Sequence, residues 1–418
     1  MTIKETIKRI PLIGIFARSV YIRRLCARFC RWRLHKLKVL AITGSCGKTS
    51  ASQFLIQILS RSAVVHPGVG DNCENSIITN MRGLRDNHRY YVQEVSGHEP
   101  GALERSLSSL MHEVGIVTTV GLDHYRTFRT REAVAAEKST MVELLPKNGV
   151  AVLNADDPYV AAMKSHTRAR KLTYGLDANA DLRATDIVSD WPQRFACTIH
   201  YQDESHRLET GLFGDLLLPS VLAAIGGARA VGVPLAESVA ALQGVAPVTG
   251  RLSPHRSPQG MWMVFDFKGT YWTVEKVLDL ARRAQAPRKT LVFGSFSDTR
   301  GASSHAYRKV AKEALKLVDR VVWAGERQSY VQKMMGPENE GHLFCFKEMK
   351  EAAEFLGSDP LEDELVIIKS NGMEHIERLI LSQEHPLKCW KNKCSLKEMC
   401  YKCPHSGLIE ESVEVMRD

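Results

Sequence analysis

Residues 39–50 read Val-Leu-Ala-Ile-Thr-Gly-Ser-Cys-Gly-Lys-Thr-Ser, an apolar run that leads into a glycine-containing loop and the start of a helical pattern. Glycines let backbone amides turn toward phosphate oxygens, and a helix N-terminus adds partial positive charge. The loop is roughly one to two residues tighter than the general P-loop pattern, yet it keeps the lysine and the hydroxyl that serve phosphate and Mg²⁺. We therefore predict a nucleotide site made by Gly44, Ser45, Cys46, Gly47, Lys48, Thr49 and Ser50.

Short apolar runs alternate with helical patterns around this loop, which is typical of a parallel sheet with crossover helices. The apolar runs cover residues 39–43, 90–95, 114–120 and 150–153, and the helical patterns cover 48–60, 101–112, 131–144 and 157–165. Shorter strand-like pieces cover 181–188, 195–201 and 206–212, and an Ala-rich helical pattern follows around 219–231. A second series of apolar runs covers 261–267, 290–293, 320–323 and 364–368, after a turn-forming stretch at 247–250. The pattern predicts two consecutive α/β units.

The fold class that we expect is therefore α/β, in four parts along the chain. A basic amphipathic arm covers residues 1–37, and a central P-loop NTPase-like domain with a parallel sheet covers 38–247. A smaller Rossmann-like α/β domain covers 248–384, and a Cys-rich C-terminal tail covers 385–418.

Composition agrees with an ordinary globular protein. The 418 residues suffice for about two to three domains. Hydrophobic residues at 44% and charged residues at 25% exclude collagen-like, wholly disordered and disulfide-scaffold proteins. No window reaches the roughly 18 uninterrupted apolar residues of a spanning helix, and no N-terminal stretch resembles a cleavable signal. We expect a cytoplasmic protein whose ten cysteines are reduced.

Positive charge is concentrated in the first 38 residues, which hold eleven lysines and arginines against the acid Glu5. This stretch carries +10 and the whole chain +9, so the remainder carries −1, and we expect no nucleic-acid partner. The cations are mixed with apolar side chains such as Phe29 and Trp32, which suits a helix on an anionic membrane surface. The same pattern fits a helix packed on its own domain or on a partner protein. A peripheral location at the inner membrane face therefore stays open beside packing.

Further segments with chemically active side chains follow the loop in order. They are Asp71-Asn-Cys-Glu-Asn75, Glu94-Val-Ser-Gly-His-Glu-Pro-Gly101, Asp123-His124 with Lys138 fourteen residues later, Asn154-Ala-Asp-Asp157, Gly250-Arg251, Gly294-Ser-Phe-Ser-Asp298 and Lys369-Ser-Asn-Gly372. With the loop, they resemble the motifs of the Mur ligases, ATP-dependent enzymes that form amide bonds. The resemblance covers about residues 38–380 and is greatest to the muramoyl-tripeptide D-Ala-D-Ala ligase branch.

Three side chains at the exits of predicted strands could coordinate Mg²⁺ ions that bridge ATP phosphates: Thr49, Glu94 and His124. The resemblance implies that Lys138 is carbamylated by CO₂, which would turn its cation into a carboxylate-like ligand for a second Mg²⁺. The alternatives are an exposed helix lysine for Lys138 and a core or cap histidine for His124. His98 is a weaker candidate, because a turn before Pro100 explains it equally well.

The resemblance also implies nucleotide contacts elsewhere in the chain. Asn154 would belong to the ATP site, Arg251 would contact phosphate from the C-terminal domain, and Asp266 would bind the ribose. Taken singly, Arg251 or Asp266 would more often be a surface residue. The catalytic set implied is Lys48, Glu94, His124, Lys138 and Arg251.

The activity implied is ATP-dependent ligation through an acyl phosphate, which an amine then attacks to give an amide. Only some 38 residues precede the loop, where stem-peptide ligases carry a domain for the UDP-sugar precursor. We therefore expect a substrate other than a UDP-muramoyl peptide, such as a polyamino acid, a specialised metabolite or a membrane-linked compound. The stretches 214–220 and 266–272 also depart from the family pattern, which leaves the selectivity for the base open.

Two rival functions come from other classes. The first is a nucleotide-binding sensor or scaffold of Mur ligase ancestry that has lost ligation. The second is a P-loop GTPase or kinase, for which the sequence offers no Walker-B aspartate and no base-specificity motif that we can identify.

The tail contains four thiols within fifteen residues: Cys389, Cys394, Cys400 and Cys403. Thiolates so spaced could close on Zn²⁺ or hold an iron–sulfur cluster, although the spacing matches no standard zinc pattern. Four incidental thiols are the remaining alternative. A structural role is favoured over a catalytic one.

Overall fold

The structure is a computed structural model that describes residues 20–70, 72–299, 303–391, 394, 396 and 399–408. Asp71 and residues 1–19 of the predicted arm lie outside this part. The chain divides into two compact units. The first takes in residues up to 185 with 198–208 and 218–243, and the second takes in 186–197, 209–217 and the chain from 244 onward. The boundaries expected at 247 and 384 stay predictions.

The first sheet has nine strands: β1 (Lys38–Thr43), β2 (Val65–Gly68), β3 (Tyr90–Glu94), β4 (Val114–Val117), β5 (Val150–Asn154), β6 (Arg170–Gly175), β7 (Leu182–Val188), β8 (Ala196–Tyr201) and β9 (Glu204–Glu209). Their order is β2-β3-β1-β4-β5-β6-β7-β8-β9. Neighbouring strands from β2 to β7 are parallel. Their carboxyl ends therefore share one edge, where open α/β sheets bind ligands.

The helices of the first unit are α1 (Val20–Arg33), α2 (Lys48–Leu59), α3 (Glu74–Met81), α4 (Ala102–Leu110), α5 (Tyr125–Phe128), α6 (Arg131–Glu143), α7 (Pro158–Ala162), α8 (Leu218–Ala230) and α9 (Leu235–Leu242). One buried cluster joins strand residues such as Ala41 and Val117 to helix residues such as Leu107 and Met141. Full burial of a valine, leucine or methionine side chain contributes about 1.5–3 kcal/mol, so this cluster holds helices against the strand that leads into the glycine loop.

The second unit is built on a six-stranded sheet: β10 (Arg251–Arg256), β11 (Trp262–Asp266), β12 (Lys289–Phe293), β13 (Arg320–Ala324), β14 (Leu343–Phe346) and β15 (Leu365–Lys369). The order is β10-β11-β15-β12-β13-β14. The β10–β11 pair is antiparallel and the other pairs are parallel. The helices are α10 (Val274–Arg283), α11 (Ser303–Ala314), α12 (Met349–Ser358) and α13 (Arg378–Leu381).

The predicted α/β class with two mainly parallel sheets is confirmed, but several elements differ in detail. Four strands were missed, at Val65–Gly68, Arg170–Gly175, Arg251–Arg256 and Leu343–Phe346. Three of these are edge strands, and Arg170–Gly175 begins with two exposed cations, so their apolar runs are weak. The strand predicted to reach residue 120 ends at Val117, which leaves Thr118 and Thr119 in the loop. In the described part of the chain, every helix is too short or too polar to cross a bilayer.

Candidate functional site

The glycine loop leaves β1 at Thr43 and enters α2 at Lys48. Gly44 has a φ of 146°, and a Cβ atom there would lie 1.9 Å from the Thr118 Oγ1 atom. Gly47 has a φ of 83° and, having no side chain, cannot itself cap α2. The loop therefore approaches its neighbours as closely as glycine permits, at a helix N-terminus suited to an anion.

The exit of the adjacent strand β4 fixes the shape of the loop. The Ser45 backbone N–H donates to the Thr119 carbonyl at 2.8 Å, and the Cys46 N–H donates to Thr119 Oγ1 at 3.2 Å. The Thr118 hydroxyl donates to the Cys46 carbonyl at 2.6 Å. Sequence reasoning missed both threonines, although two hydroxyls at the end of a buried strand were a usable signal. From α8, the Ser220 hydroxyl donates to the Gly47 carbonyl at 3.2 Å.

Lys48 and Thr49 occupy the first turn of α2, as the sequence predicts. The Lys48 Nζ atom donates to the Gly44 carbonyl at 2.5 Å, so the side chain lies back across the loop. The Thr49 hydroxyl donates to Glu94 Oε2 at 3.2 Å.

Glu94 is the last residue of β3, beside Ile42 of β1, and it is 1% exposed. Its second oxygen, Oε1, accepts from the Gly70 N–H at 3.4 Å. The structure thus brings together the hydroxyl of Thr49 and the carboxylate of Glu94, a pair of hard oxygen donors that suits Mg²⁺.

His124 and Lys138 lie beyond β4. His124 precedes α5 with a φ of 50°, and its ring centroid is 6.5 Å from that of His98. Lys138 lies in α6 and is 1% exposed, so it is not the exposed helix lysine of the alternative interpretation. The preceding Glu137 accepts from the Gly101 N–H at 2.7 Å and the Leu103 N–H at 2.8 Å. These bonds hold α6 against the segment that follows Glu94.

Asn154 ends β5, as expected, and uses its amide within the protein. Its Nδ2 atom donates to the Thr118 carbonyl at 2.8 Å, and its Oδ1 atom accepts from the Asp156 N–H at 3.0 Å. Asn154 therefore supports the β4 exit that shapes the glycine loop.

In the second unit, Arg251 and Asp266 face each other as partners in the antiparallel β10–β11 pair. Lys369 Nζ donates to Asp266 Oδ2 at 2.5 Å, and the Lys268 N–H donates to Asp266 Oδ1 at 3.1 Å. Burial alone would raise the pKa of Asp266, but the Lys369 ammonium, with a smaller effect of Arg251, lowers it below its usual value. Both oxygens are therefore engaged, and Lys369, which is fully buried, is a partner that the sequence did not reveal.

The tail thiols line one cavity of about 240 Å³ in the second unit. Cys389, Cys394, Cys400 and Cys403 all contribute to it. Two histidines also line it: His405 of the tail and His375, which follows β15. His375 was not among the residues that we predicted.

The predicted site residues thus fall into separate groups. In the first unit, the glycine loop, Lys48, Thr49, Glu94 and Asn154 lie at the ends of parallel strands, His124 follows β4, and Lys138 lies within α6. The second unit holds Arg251 and Asp266 on one strand pair and the tail thiols on one cavity.

Known proteins resemble the chain most clearly in its first unit. Residues 42–228 match the family model of the Mur ligase middle domain. The chain is 31% identical over 215 residues to a UDP-N-acetylmuramoyl-tripeptide–D-alanyl-D-alanine ligase of Mycobacterium bovis, which covers 51% of this chain and 42% of that relative. It is 24% identical over 376 residues to a UDP-N-acetylmuramoyl-L-alanyl-D-glutamate–2,6-diaminopimelate ligase of Caldanaerobacter subterraneus, covering 84% of this chain and 76% of the relative. The chain therefore spans less than half of the first relative.

Solved structures share the fold over most of the chain. MurF from Acinetobacter baumannii has a TM-score of 0.77 at 22% identity, with 87% of this chain and 80% of that chain covered. The MurF ligase from Thermotoga maritima, solved in complex with ADP, has a TM-score of 0.75 at 19% identity, with 88% and 84% covered. Both have the predicted arrangement of a P-loop-like domain and a Rossmann-like domain. The family-model match and these likenesses together show that residues 42–228 are similar to a Mur ligase middle domain and that most of the chain has the fold of the solved Mur ligases.

Proposed function

We propose that this protein is an ATP-dependent ligase that joins a carboxylate to an amine through an acyl phosphate. The observation that carries the proposal is the glycine loop at the start of α2, with the Thr49 hydroxyl 3.2 Å from the buried Glu94 carboxylate. Relatives of the chain are named as ligases that join muramoyl peptides to D-alanyl-D-alanine or to 2,6-diaminopimelate, which supports the reaction class.

The donor set fits Mg²⁺, because carboxylate and hydroxyl oxygens are ligands that Mg²⁺ prefers. We assign Thr49, Glu94 and His124 to hold Mg²⁺, and a carbamylated Lys138 to hold a second Mg²⁺. When bound, Mg²⁺ would neutralise phosphate charge. Lys138 is almost fully buried in α6. Carbamylation would turn its cation into a carboxylate-like group, which could ligate a second Mg²⁺ ion.

The remaining residues would bind and orient the nucleotide. The loop amides of residues 44–50 and the Lys48 ammonium would receive its phosphates. Arg251 is assigned to phosphate and Asp266 to the ribose, as in the sequence-based expectation. Asn154 would act by fixing the Thr118 segment, because its own amide is already bonded there.

A direct test is a screen of carboxylates and amines for ATP-dependent phosphate release, with mass detection of a product lighter than its parts by one water. The screen should include a UDP-muramoyl tripeptide, because turnover of that compound would contradict our expectation of another substrate. Lys48→Ala should lower turnover by about 100-fold or more. Lys164→Ala, at an exposed lysine, is the matched control.

Carbamylation of Lys138 has its own test. Lys138→Ala should abolish activity, and short carboxylic acids added to this variant should restore part of it, because they would supply the missing carboxylate. Depletion of CO₂ from the wild-type protein should lower activity, and bicarbonate should restore it. Full activity of Lys138→Ala would refute the metal-site assignment.

The second candidate function is a nucleotide-binding sensor or scaffold without ligase activity. The observation that favours this candidate is the stretch Lys268-Gly269, which departs from the family pattern beside the Asp266–Lys369 ion pair. The Lys369 Nζ atom also donates to the Lys268 carbonyl at 2.7 Å, so the altered stretch contacts the ion pair of Asp266, the residue assigned to the ribose. ATP binding with hydrolysis that responds to no carboxylate or amine would support this candidate over the ligase.

We further propose a cytoplasmic protein whose arm touches the inner membrane face. On α1, the pairs Arg24–Glu74 and Arg31–Glu113 support packing on the first unit. On the same helix, Phe29 and Trp32 are 62% and 73% exposed, which supports a surface contact. Sedimentation of the protein with anionic vesicles tests the membrane contact, and Trp32→Ala should weaken binding to the vesicles.

The tail is the last part of the proposal. We propose that its thiols hold zinc or an iron–sulfur cluster in a structural role, which the shared cavity of Cys389, Cys394, Cys400 and Cys403 supports. Metal analysis of the purified full chain tests this, and a metal-free, folded protein would contradict it.

A further inference from the structure

Two buried residues of the second unit lie beside the tail cavity and have no place in the reaction. His375 follows β15 and is 3% exposed, and Glu377 is fully buried. The His375 Nδ1 atom is 3.0 Å from Glu377 Oε1. The same oxygen accepts from the Cys400 backbone N–H at 2.9 Å. Cys400, whose thiol lines the cavity, therefore also ties the tail to the Glu377 carboxylate through its backbone N–H.

The donor atoms of these residues converge. One donor atom each from His375, Glu377 and Cys400 lies within 4.8 Å of the other two. An imidazole nitrogen, a carboxylate oxygen and a thiol sulfur are the three protein donors that zinc uses most. Chemistry as well as proximity therefore points to a cation.

Glu377 supplies an independent observation. Its second oxygen, Oε2, is buried and has no hydrogen-bond partner among the residues that the structure describes. An unpaired carboxylate oxygen in the interior costs several kcal/mol unless a cation lies nearby. The adjacent Arg378 directs its Nε and Nη2 atoms to the carbonyls of His375 and Glu374, at 2.9 and 2.8 Å. A cation in the cavity would balance the charge that Glu377 leaves.

The opposite side of the cavity is the tail. Cys389, Cys394 and Cys403 line it together with His375 and Cys400. The His375 Nε2 atom faces the tail, 3.0 Å from the Leu396 carbonyl. Ring nitrogen and sulfur donors thus come from both the body of the unit and the tail. Mixed nitrogen and sulfur donors favour Zn²⁺ over Mg²⁺ or Ca²⁺, which take oxygen.

We infer that the cavity binds Zn²⁺ and that the body of the second unit supplies part of the site: His375 ligates through Nε2, Glu377 orients the ring from Nδ1, and Cys400 with further tail thiolates completes the coordination. This inference rests on the proposed tail metal and goes further in naming the ion and the two body residues. Binding releases the thiol protons and exchanges the Leu396 contact for the ion. A carboxylate behind a ligating histidine is the usual second-layer arrangement of zinc sites.

The ion would tie the tail to the turn after β15. That turn also carries Glu374, which accepts from the Ser370 hydroxyl at 2.5 Å and the Ser295 N–H at 2.6 Å. Loss of the ion should therefore release the tail first, while these bonds keep the turn folded.

The experiment measures metal by mass spectrometry on the purified full chain and on three variants. We expect about one zinc per chain in the wild type and a large loss in Cys400→Ser and His375→Ala. Glu377→Gln should retain zinc but release it to a chelator at about 10- to 100-fold lower chelator concentration. His342→Gln, Cys345→Ser and Glu362→Gln, which change residues outside the cavity, are the matched controls and should behave as wild type.

Cobalt substitution keeps the inference testable if a variant folds poorly. Wild-type protein loaded with Co²⁺ should show thiolate-to-cobalt charge-transfer absorption with the strong visible bands of a tetrahedral site, and His375→Gln should shift those bands. A folded wild type without any metal would refute the tail proposal as a whole. Two results would overturn the zinc site with His375 and Glu377 but keep a metal in the tail. One is zinc whose content and release are unchanged in the His375 and Glu377 variants. The other is iron with acid-labile sulfide in place of zinc.

Discussion

Replacement of Asp266 by asparagine separates two roles of this residue, the ribose contact that we propose and the buried ion pair that the structure contains. Asp266→Asn keeps the shape of the side chain but removes the charge that faces Lys369, whose side chain is fully buried. Removal of one partner of a buried ion pair costs about 3–5 kcal/mol. For a unit of this size, 1 kcal/mol corresponds to about 2–4 °C in Tm, so we expect a decrease of about 6–20 °C.

Tryptophan fluorescence is a suitable assay, because five of the six tryptophans lie in the second unit. Asp266→Asn combined with Lys369→Met should recover most of the loss, since removal of both charges leaves neither unpaired. Asp279→Asn, at a half-exposed carboxylate, is the control and should change stability by about 1 kcal/mol or less.

The pH dependence follows from the lowered pKa of Asp266. Burial opposes the charge, yet the Lys369 ammonium outweighs it, so the folded pKa lies below the usual value of 3.8. The pair therefore stabilises the unit fully above about pH 4 and is lost as the pH falls through the folded pKa. An unchanged Tm in Asp266→Asn, together with weaker ATP binding, would refute the ion-pair reasoning and leave Asp266 as a ribose contact alone.

Two further predictions concern the first unit. Gly44→Ala should weaken binding of an ATP analogue at least tenfold in a calorimetric titration and lower the free energy of unfolding by about 1–3 kcal/mol, because its Cβ would lie 1.9 Å from Thr118 Oγ1. Gly232→Ala is the control for backbone strain, because Gly232 has a φ of 95° but no neighbouring atom within 4 Å of the position that a Cβ would take. Burial, offset in part by the 2.7 Å bond to the Met141 carbonyl, lowers the pKa of His112 to about 4, against 6.5 when unfolded. As the pH falls from 6.5 to 4, the free energy of unfolding measured in denaturant titrations should therefore decrease by about 3 kcal/mol. His112→Gln should make this decrease smaller. An equal dependence on pH in both proteins would contradict the assignment to His112.

Much of the first unit could be predicted because its signals are local. The apolar run before Gly44 has the length of a buried strand. The Gly-Lys-Thr sequence after it is typical of a phosphate-binding loop, which requires a helix N-terminus at that point. Helical spacing also predicted the helix that carries Lys138, whereas Glu94, Asn154 and Lys138 themselves were singled out through the resemblance to the Mur ligases. Edge strands such as Val65–Gly68 were not predicted, because four residues with an exposed proline show little alternation of apolar and polar side chains.

The sequence by itself thus determined the α/β class, the glycine loop between β1 and α2, and most of the strands whose ends carry the candidate residues. Only the tertiary structure decided which side chains are shared between distant segments. Thr118 shapes a loop more than seventy residues away, Lys369 neutralises Asp266, and His375 and Glu377 meet Cys400 of the tail. The physical reason is that propensity and spacing act within a few turns of the chain, whereas buried polar partners are chosen by sheet order and by the requirement that interior charges and hydrogen bonds be satisfied.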